Sequence, residues 1–466
     1  MKKNLFLLIS LSILLGSWVV PQKEKYDLLI LNAKIIDVEK GTVSTSSFIA
    51  ITKDTIRLVG DMTKLKGIKA LETLDAKNKF VMPSLWDNHV HFRGGEALIQ
   101  ENKNLLPLFL AFGVTTVREA GGDITPQVMQ WRNQIKAGEL VGPTIFTSGP
   151  KLDGSKPSWA GSIKVENEKD IEKALDSLQS IGVDFVKMYD GNLSKEAFYG
   201  IIKAAEKRGL KTTGHMPLSA DILEGINYGL DGTEHLYYIL KASSPKADSL
   251  TKLNLGYGMM GTLVETFDAV LAQKVYQKMA QKNVFVTPTI YIGQVLANIL
   301  KTDHSKDFLL PYIGNGIIKS YQGRIEGAKR ASANGGFLQT KTEKIFSEMV
   351  KPMYKAGVNI LAGSDCGANN SFVYPGESLH QELINLVRVG LTPQEALKTS
   401  IINGPKFFNK GKFYGSVSKG KISDLLILDQ NPLVAIQNIK TINGVVLRGK
   451  VYPKSVLNKM MESVKK

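Results

Sequence analysis

The 466-residue chain exceeds the usual domain size of about 100–200 residues, so two or three folding units are the starting expectation. Its 43% hydrophobic and 22% charged residues exclude a disordered or collagen-like polymer, and its one cysteine, Cys366, excludes an intrachain disulfide or a cysteine-built zinc site. A formal charge of +16 raises nucleic acid or an anionic membrane surface as partners, but only nine of the 59 basic residues are arginine and no basic run is interleaved with aromatics, which argues against nucleic acid.

In chain order, Lys2 and Lys3 precede an apolar stretch from Leu5 to Val20. That stretch is short for a membrane span of about 20 apolar residues and suits a secretory signal. Residues 1–20 are therefore expected to be a signal segment and the body an exported protein, periplasmic or secreted. No A-x-A cleavage site follows, so an uncleaved N-terminal membrane anchor is the alternative. From Tyr26 the pattern turns to β. The runs Tyr26 to Ile36, Ser47 to Ile51 and Thr55 to Gly60 are short strands split by polar turns. Residues 413–453 read the same way, with runs from Asp424 to Leu428 and from Gly444 to Tyr452. Residues 26–82 and 413–453 are thus expected to build one small β-sandwich from both chain ends.

Residues 83–410 alternate strand and helix. Besides the run into His89, strand candidates lie at 113–117, 143–147, 183–188, 210–214, near Thr233, at 284–289 and at 358–363. Between them, Ile171, Ala174, Leu175 and Leu178 recur at helical spacing, as do Phe198, Ile201, Ile202 and Ala205. Eight strands alternating with helices predict an α/β fold, a (β/α)8 TIM-like barrel, with a doubly wound open sheet as the alternative. Residues 296–345 exceed a simple connection and are either a lid or a decorative insertion. Gly256 to Gly261 matches G-x-G-x-x-G, but the stretch before it is too polar for a buried strand and no second Rossmann unit follows, so no dinucleotide site is expected.

Histidine is scarce: His89, His91, His215, His235, His304 and His380 are all there are. His89 and His91, two apart on a strand, point to the same side and can share a divalent metal. His215, His235 and Asp365 end the fifth, sixth and eighth strand candidates. Barrel enzymes gather their chemistry at such ends, so these residues would converge. Isolated core histidines would have to recur at four strand ends to mimic this. Lys187 lies late in the fourth strand candidate, where burial would depress its pKa. A neutral amine there can add CO₂, giving a carbamate able to bridge two cations; pairing with Asp190 is the alternative.

These residues sit in Asp87-x-His89-x-His91, Gly113-Val-Thr-Thr-Val-Arg118, Glu234-His235, Gly363-Ser-Asp365, Gly376-Glu-Ser-Leu-His380-x-Glu382 and Gly415-Ser-Val-x-Lys-Gly-Lys-Ile. Through them the chain resembles the amidohydrolase superfamily over nearly its whole length, near imidazolonepropionase-like proteins and metal-dependent Xaa-Pro dipeptidases. The resemblance implies a hydrolase with two divalent ions, zinc by default. His89, His91 and Asp365 would hold one, His215 and His235 the other, with N6-carboxylated Lys187 between them. A water shared by the ions would attack the carbonyl, and Asp365 would pass its proton to the leaving nitrogen. The expected substrate is a small-molecule amide, a dipeptide or N-acyl amino acid. A cyclic amide or lactone hydrolase and a deaminase are alternatives, and a ligand-binding barrel without turnover is an alternative of another class. Arg118, Tyr189, Tyr237 and His380 are candidates for substrate contact, Tyr238 stands beside them, and His304 is expected to be structural. A homo-oligomer is compatible with the family. Two departures bear on the substrate. Imidazolonepropionase-type relatives bind one metal and lack the bridging lysine. Several relatives also carry Gly-Gly-His after the third strand, where this chain has Gly149 to Trp159.

Overall fold

The computed structural model describes residues 25–334 and 338–466. The expected signal segment lies outside the described residues. Among the described residues no helix is long and apolar enough to cross a membrane.

The two chain ends share one nine-stranded sheet. Tyr26–Asp37 is its spine, antiparallel to Ser47–Thr52, parallel to Ala70–Asp75 along its first half and parallel to Phe80–Pro83 along its second. An irregularity between Ile30 and Ala33, with Asn32 at φ +53°, bends the spine so that each half serves a different partner. From the other end of the chain, Leu425–Leu428 joins antiparallel to Phe80–Pro83. Leu28, Ile30, Ile49, Ile51, Val81, Leu425 and Ile427 close a core drawn from both ends. The Gly444 to Tyr452 run is not one strand. Arg448 and Gly449, at φ +49° and +81°, fold it into a hairpin of Ile442–Leu447 with Lys450–Pro453. Residues 413–421 are turns rather than strand.

The middle of the chain forms a curled parallel sheet flanked by helices. Eight of its strands, Leu85–Val90, Val114–Glu119, Thr144–Thr147, Val186–Met188, Thr212–Gly214, Gly232–Glu234, Phe285–Thr287 and Asn359–Ile360, lie one at each of the predicted places, and the short strands Leu152–Asp153 and Ile163–Lys164 add to the parallel pairing beside Val186–Met188. Backbone bonds carry the curl across the seams, from Asp184 N to Thr147 O (2.8 Å) and from Asp365 N to His89 O (2.7 Å). A parallel bridge pairs Val90 with Cys366, setting the last strand end beside the first.

The predicted helical stripes are buried. Glu168–Ser180 covers Ile171, Ala174, Leu175 and Leu178, and Lys195–Lys207 covers Phe198, Ile201, Ile202 and Ala205. Each large apolar side chain so buried contributes about 1.5–3 kcal/mol. Asn167 and Ser194 cap these helices by accepting the backbone N–H of Asp170 and Ala197. Gly256–Met259 is a single tight turn that follows the helix Ala247–Lys252, so the G-x-G-x-x-G match has no strand before it. The insertion carries the helices Asn315–Ala333 and Gln339–Lys355, the first of which sends Arg324 toward the strand ends.

Candidate metal centre and substrate cavity

The curl brings the C-terminal strand ends together. His89 ends the first parallel strand, His91 follows it, and His215, His235 and Asp365 follow the fifth, sixth and eighth. The Asp365 carboxylate lies 3.4 Å from His89 Nε2, 3.2 Å from His91 Nε2 and 3.8 Å from His235 Nε2. The His215 and His235 ring centroids are 4.9 Å apart. Ligand atoms of His89, His91 and Asp365 all lie within 4.8 Å of one another, an arrangement able to hold a metal ion.

Three of the four imidazoles are hydrogen-bonded from behind, and His215 approaches an acid there without such a bond. His89 Nδ1 meets Glu234 Oε2 at 2.7 Å, His91 Nδ1 meets the Gly121 carbonyl at 2.9 Å, and His235 Nδ1 meets Thr289 Oγ1 at 2.6 Å. His215 Nδ1 stands 3.2 Å from Asp190 Oδ1, and Asp190 is itself held by the Tyr238 and Tyr257 hydroxyls. A proton held at Nδ1 leaves the Nε2 lone pair facing forward, the arrangement metal-ligating histidines use. Burial pulls His89, His91 and His235 below the ordinary histidine range, so they stay neutral. His89 Nε2 and His91 Nε2 face each other at 3.2 Å.

Backbone and core are bent to this purpose. His235 and Asp365 sit at φ +62° and +57°. Such left-handed conformations in non-glycine residues cost about 1–3 kcal/mol each and collect at functional sites. Asp87, the first residue of Asp87-x-His89-x-His91, ties the two metal-side strand ends together. It accepts the Ser364 hydroxyl at 2.6 Å, the Ser364 N–H at 2.9 Å and the His89 N–H at 3.3 Å. Burial pushes its carboxyl up to about 7.

Lys187 is 1% exposed, and its Nζ has no hydrogen-bond partner. It borders the same cavity as His91, His215, His235 and Asp365. Burial draws its ammonium down to about 8. Asp365 is pushed up by burial, yet the histidines around it hold it well below the carboxylate range. Asn370 Nδ2 donates to Asp365 Oδ1 at 2.7 Å and fixes its rotamer.

Of the residues expected to contact substrate, Tyr189 and Tyr237 line the cavity beside His215 and His235. Arg118 and His380 do not. Arg118 is 1% exposed beneath the histidines, where its Nη2 donates to both Glu234 oxygens at 2.8 and 2.9 Å and its guanidinium lies over Phe407. Its Nη1 is buried without a partner, but Arg118 does not border the cavity, so it cannot reach a ligand there. His380 is also buried, its Nε2 on the Phe112 carbonyl at 2.8 Å, because its helix turns it toward the core. His304 pairs with Asp307 at 2.8 Å and stacks on Phe372, a structural role. Sequence reasoning missed Arg93, Lys151 and Arg324, which also border the cavity. Arg93 was within reach, since His89, His91 and Arg93 continue one alternation.

A family model described as "Amidohydrolase family" matches residues 80–452. The chain belongs to this family. It is accordingly a hydrolase acting on carbon–nitrogen bonds. It is 22% identical over 425 residues to a 5-methylthioadenosine/S-adenosylhomocysteine deaminase of Caldanaerobacter subterraneus subsp. tengcongensis, covering 87% of this chain and 85% of that protein. The fold is similar to that of a bottromycin amidohydrolase, with TM-score 0.71, 18% identity and coverage of 94% and 90% of the two chains. It is also similar to a Xaa-Pro dipeptidase with bound methionine in the active site, with TM-score 0.65, 18% identity and coverage of 91% and 99%.

Proposed function

We propose that this amidohydrolase is a metal-dependent enzyme that cleaves a C–N amide bond in a small molecule, a dipeptide or an N-acyl amino acid. The carrying observation is one set of groups aimed at one point: four imidazoles with Nδ1 facing a partner behind them, the Asp365 carboxylate, and the unpartnered Lys187 amine. This donor set fits two divalent ions, zinc by preference for imidazole and carboxylate. His89, His91 and Asp365 would hold one, His215 and His235 the other, and Lys187 as its N6-carboxy derivative would join them. When bound, such ions lower the pKa of water and polarise the scissile carbonyl. The chain's own residues do the rest. Asp365, ionised at neutral pH, takes the proton from the attacking water and delivers it to the leaving nitrogen. Tyr189 and Tyr237 wall the substrate and exclude bulk water.

The same reading takes the curled sheet as a closed (β/α)8 barrel over 83–410 and the shared terminal sheet as a composite sandwich. It also takes residues 1–20 as an export signal or anchor and the protein as periplasmic or secreted, and it is compatible with a homo-oligomer. Deamination is the second reading, favoured by the sequence likeness to a deaminase.

Metal analysis of protein purified without chelator, with native mass measurement of the peptide containing Lys187, tests the centre. Two ions per chain and a labile increment of one CO₂ are expected; absence of metal overturns the reading. Asp365→Asn should retain metal yet lose about 10³-fold or more in turnover, and near-wild-type turnover would remove Asp365 from its role. A panel of dipeptides, N-acyl amino acids and aminopurines, scored for free amino acid against ammonia, separates amide cleavage from deamination.

A further inference from the structure

The cavity at the strand ends has two unlike lobes. One is walled by Tyr237, Tyr257, Ile292, Leu296 and Phe346. The other is walled by Arg93, Lys151, Trp159, Arg324 and Asn370. His215, His235, Asp365, Tyr189 and Arg324 border both, so candidate metal ligands stand at the join and Arg324 reaches the edge of the first lobe too.

Besides Lys187, the second lobe gathers Arg93, Lys151 and the more exposed Arg324, with Asp365 as the one acid among its lining. Arg93 donates its Nε to the Ala368 carbonyl at 2.7 Å, and Arg324 donates to the Asn369 carbonyl at 3.2 Å and to Asn370 Oδ1 at 3.0 Å. Neither makes an ion pair among the described residues, and the Lys151 amine makes neither an ion pair nor a hydrogen bond there. Arg93 and Lys151 are nevertheless 4% and 2% exposed. The Trp159 indole lies against both, its ring centroid 4.2 Å from the Arg93 guanidinium carbon and 4.9 Å from Lys151 Nζ. Burial, with Arg93 and Lys187 beside it, draws the Lys151 ammonium well below its ordinary value, and Glu119 and Asp365 act in the opposite sense. Glu119 is buried and takes the Thr147 hydroxyl at 2.6 Å, while Asp365 belongs to the histidines. Holding like charges side by side out of water is costly, and the cost is relieved when a bound anion supplies the missing charge.

We propose that Lys151 and Arg324, with Arg93 and Trp159 behind them, form an anion subsite, so that the amide cleaved here carries a carboxylate on one side of the scissile bond and an apolar or aromatic group on the other. This rests on the amide-hydrolase reading and narrows it. Residues from three segments build the subsite: Arg93 just after the first parallel strand, Gly149 to Trp159, where several relatives place Gly-Gly-His, and the 296–345 insertion. The apolar group occupies the lobe of Tyr237, Ile292 and Phe346.

The test compares N-benzoylalanine with N-benzoylalaninamide on the zinc-loaded enzyme. The carboxylate should be preferred by about 10–100-fold in kcat/KM, mostly through KM, as expected for hydrogen bonds to a charged group. Lys151→Met and Arg324→Gln should each shrink that ratio, and Arg324→Lys should restore part of it. A wild-type ratio near one, or a ratio unchanged in both variants, overturns the subsite. Calorimetric titration with 3-phenylpropanoate and neutral 3-phenylpropanol separates this outcome from failure of the amide-hydrolase reading. If neither amide is hydrolysed but the anion binds more tightly, and that advantage falls in both variants, the subsite stands and amide hydrolysis does not. Equal binding of the two probes, or an anion advantage that both variants keep, overturns the subsite.

Discussion

Glu234 shows how one buried residue can govern several others. It is fully buried and accepts hydrogen bonds from His89 at 2.7 Å, from Thr213 at 2.7 Å and from Arg118 at 2.8 and 2.9 Å. Its charge offsets Arg118 and its geometry fixes which nitrogen of His89 carries the proton. Glu234→Gln leaves the guanidinium without its counter-charge in a dry interior, for which a loss of about 3–5 kcal/mol is expected. Denaturant unfolding measures it, and a loss below about 1 kcal/mol would mean that water or another acid takes over. His380 gives a pH signature of a different kind. Burial, only partly offset by its bond to the Phe112 carbonyl, lowers it to about 4, so it folds as the neutral form. Between about pH 4 and 6.5 the unfolded chain binds the extra proton, and stability contributed by His380 therefore rises with pH across that window and is lost as pH falls. Between pH 5 and 7 the wild type should gain about 2 kcal/mol relative to His380→Gln; parallel pH profiles would show that the histidine is not the source.

Strand ends carry the site, and the tightness of their pairing sets how well it is aimed. Gly214, at φ +143°, is the residue before His215 and pairs with Met188, one residue after Lys187. A Cβ on Gly214 would lie 2.2 Å from Met188 O and 2.8 Å from Met188 N. Gly214→Ala must push these two strands apart, moving His215 away from His235 and disturbing Lys187. The expected result is a loss of about 2 kcal/mol or more together with reduced metal content; full metal content at wild-type stability would show that the strands tolerate the shift. This element level is also where the sequence was most legible. Strand period and helix period are local properties, so the eight strand positions and the two buried helix stripes could be read directly. Convergence of His89, His91, His235 and Asp365 follows once the strands are parallel and curled. What joins residues through space was hidden. The Arg118–Glu234 pair spans 116 positions, and Tyr257 reaches Asp190 from a turn that resembled a nucleotide-binding loop. Arg324 arrives on a helix whose docking no local pattern announces.

At the scale of the whole molecule, the geometry of the site depends on how the two chain ends close around the middle. Leu425 and Leu426 are fully buried, and they pair with Pro83 and Met82, just before the strand that ends at the metal-side histidines. Leu426 also packs against the loop entering the second parallel strand, so closely that a Cβ on Gly113 would lie 2.6 Å from its Cδ1. The terminal sheet and the parallel sheet are therefore interlocked at Gly113, and Gly113 keeps a positive φ of +71° there without a side chain in the way. Ending the chain at residue 412 would strip Phe80–Pro83 of its antiparallel partner and expose a buried apolar edge, a template for aggregation. The shortened protein should elute as aggregate and lose cooperative unfolding, even though every candidate metal ligand remains in its sequence. A monodisperse, cooperatively unfolding protein that still binds metal would instead show that the chain up to residue 412 folds without the C-terminal strands.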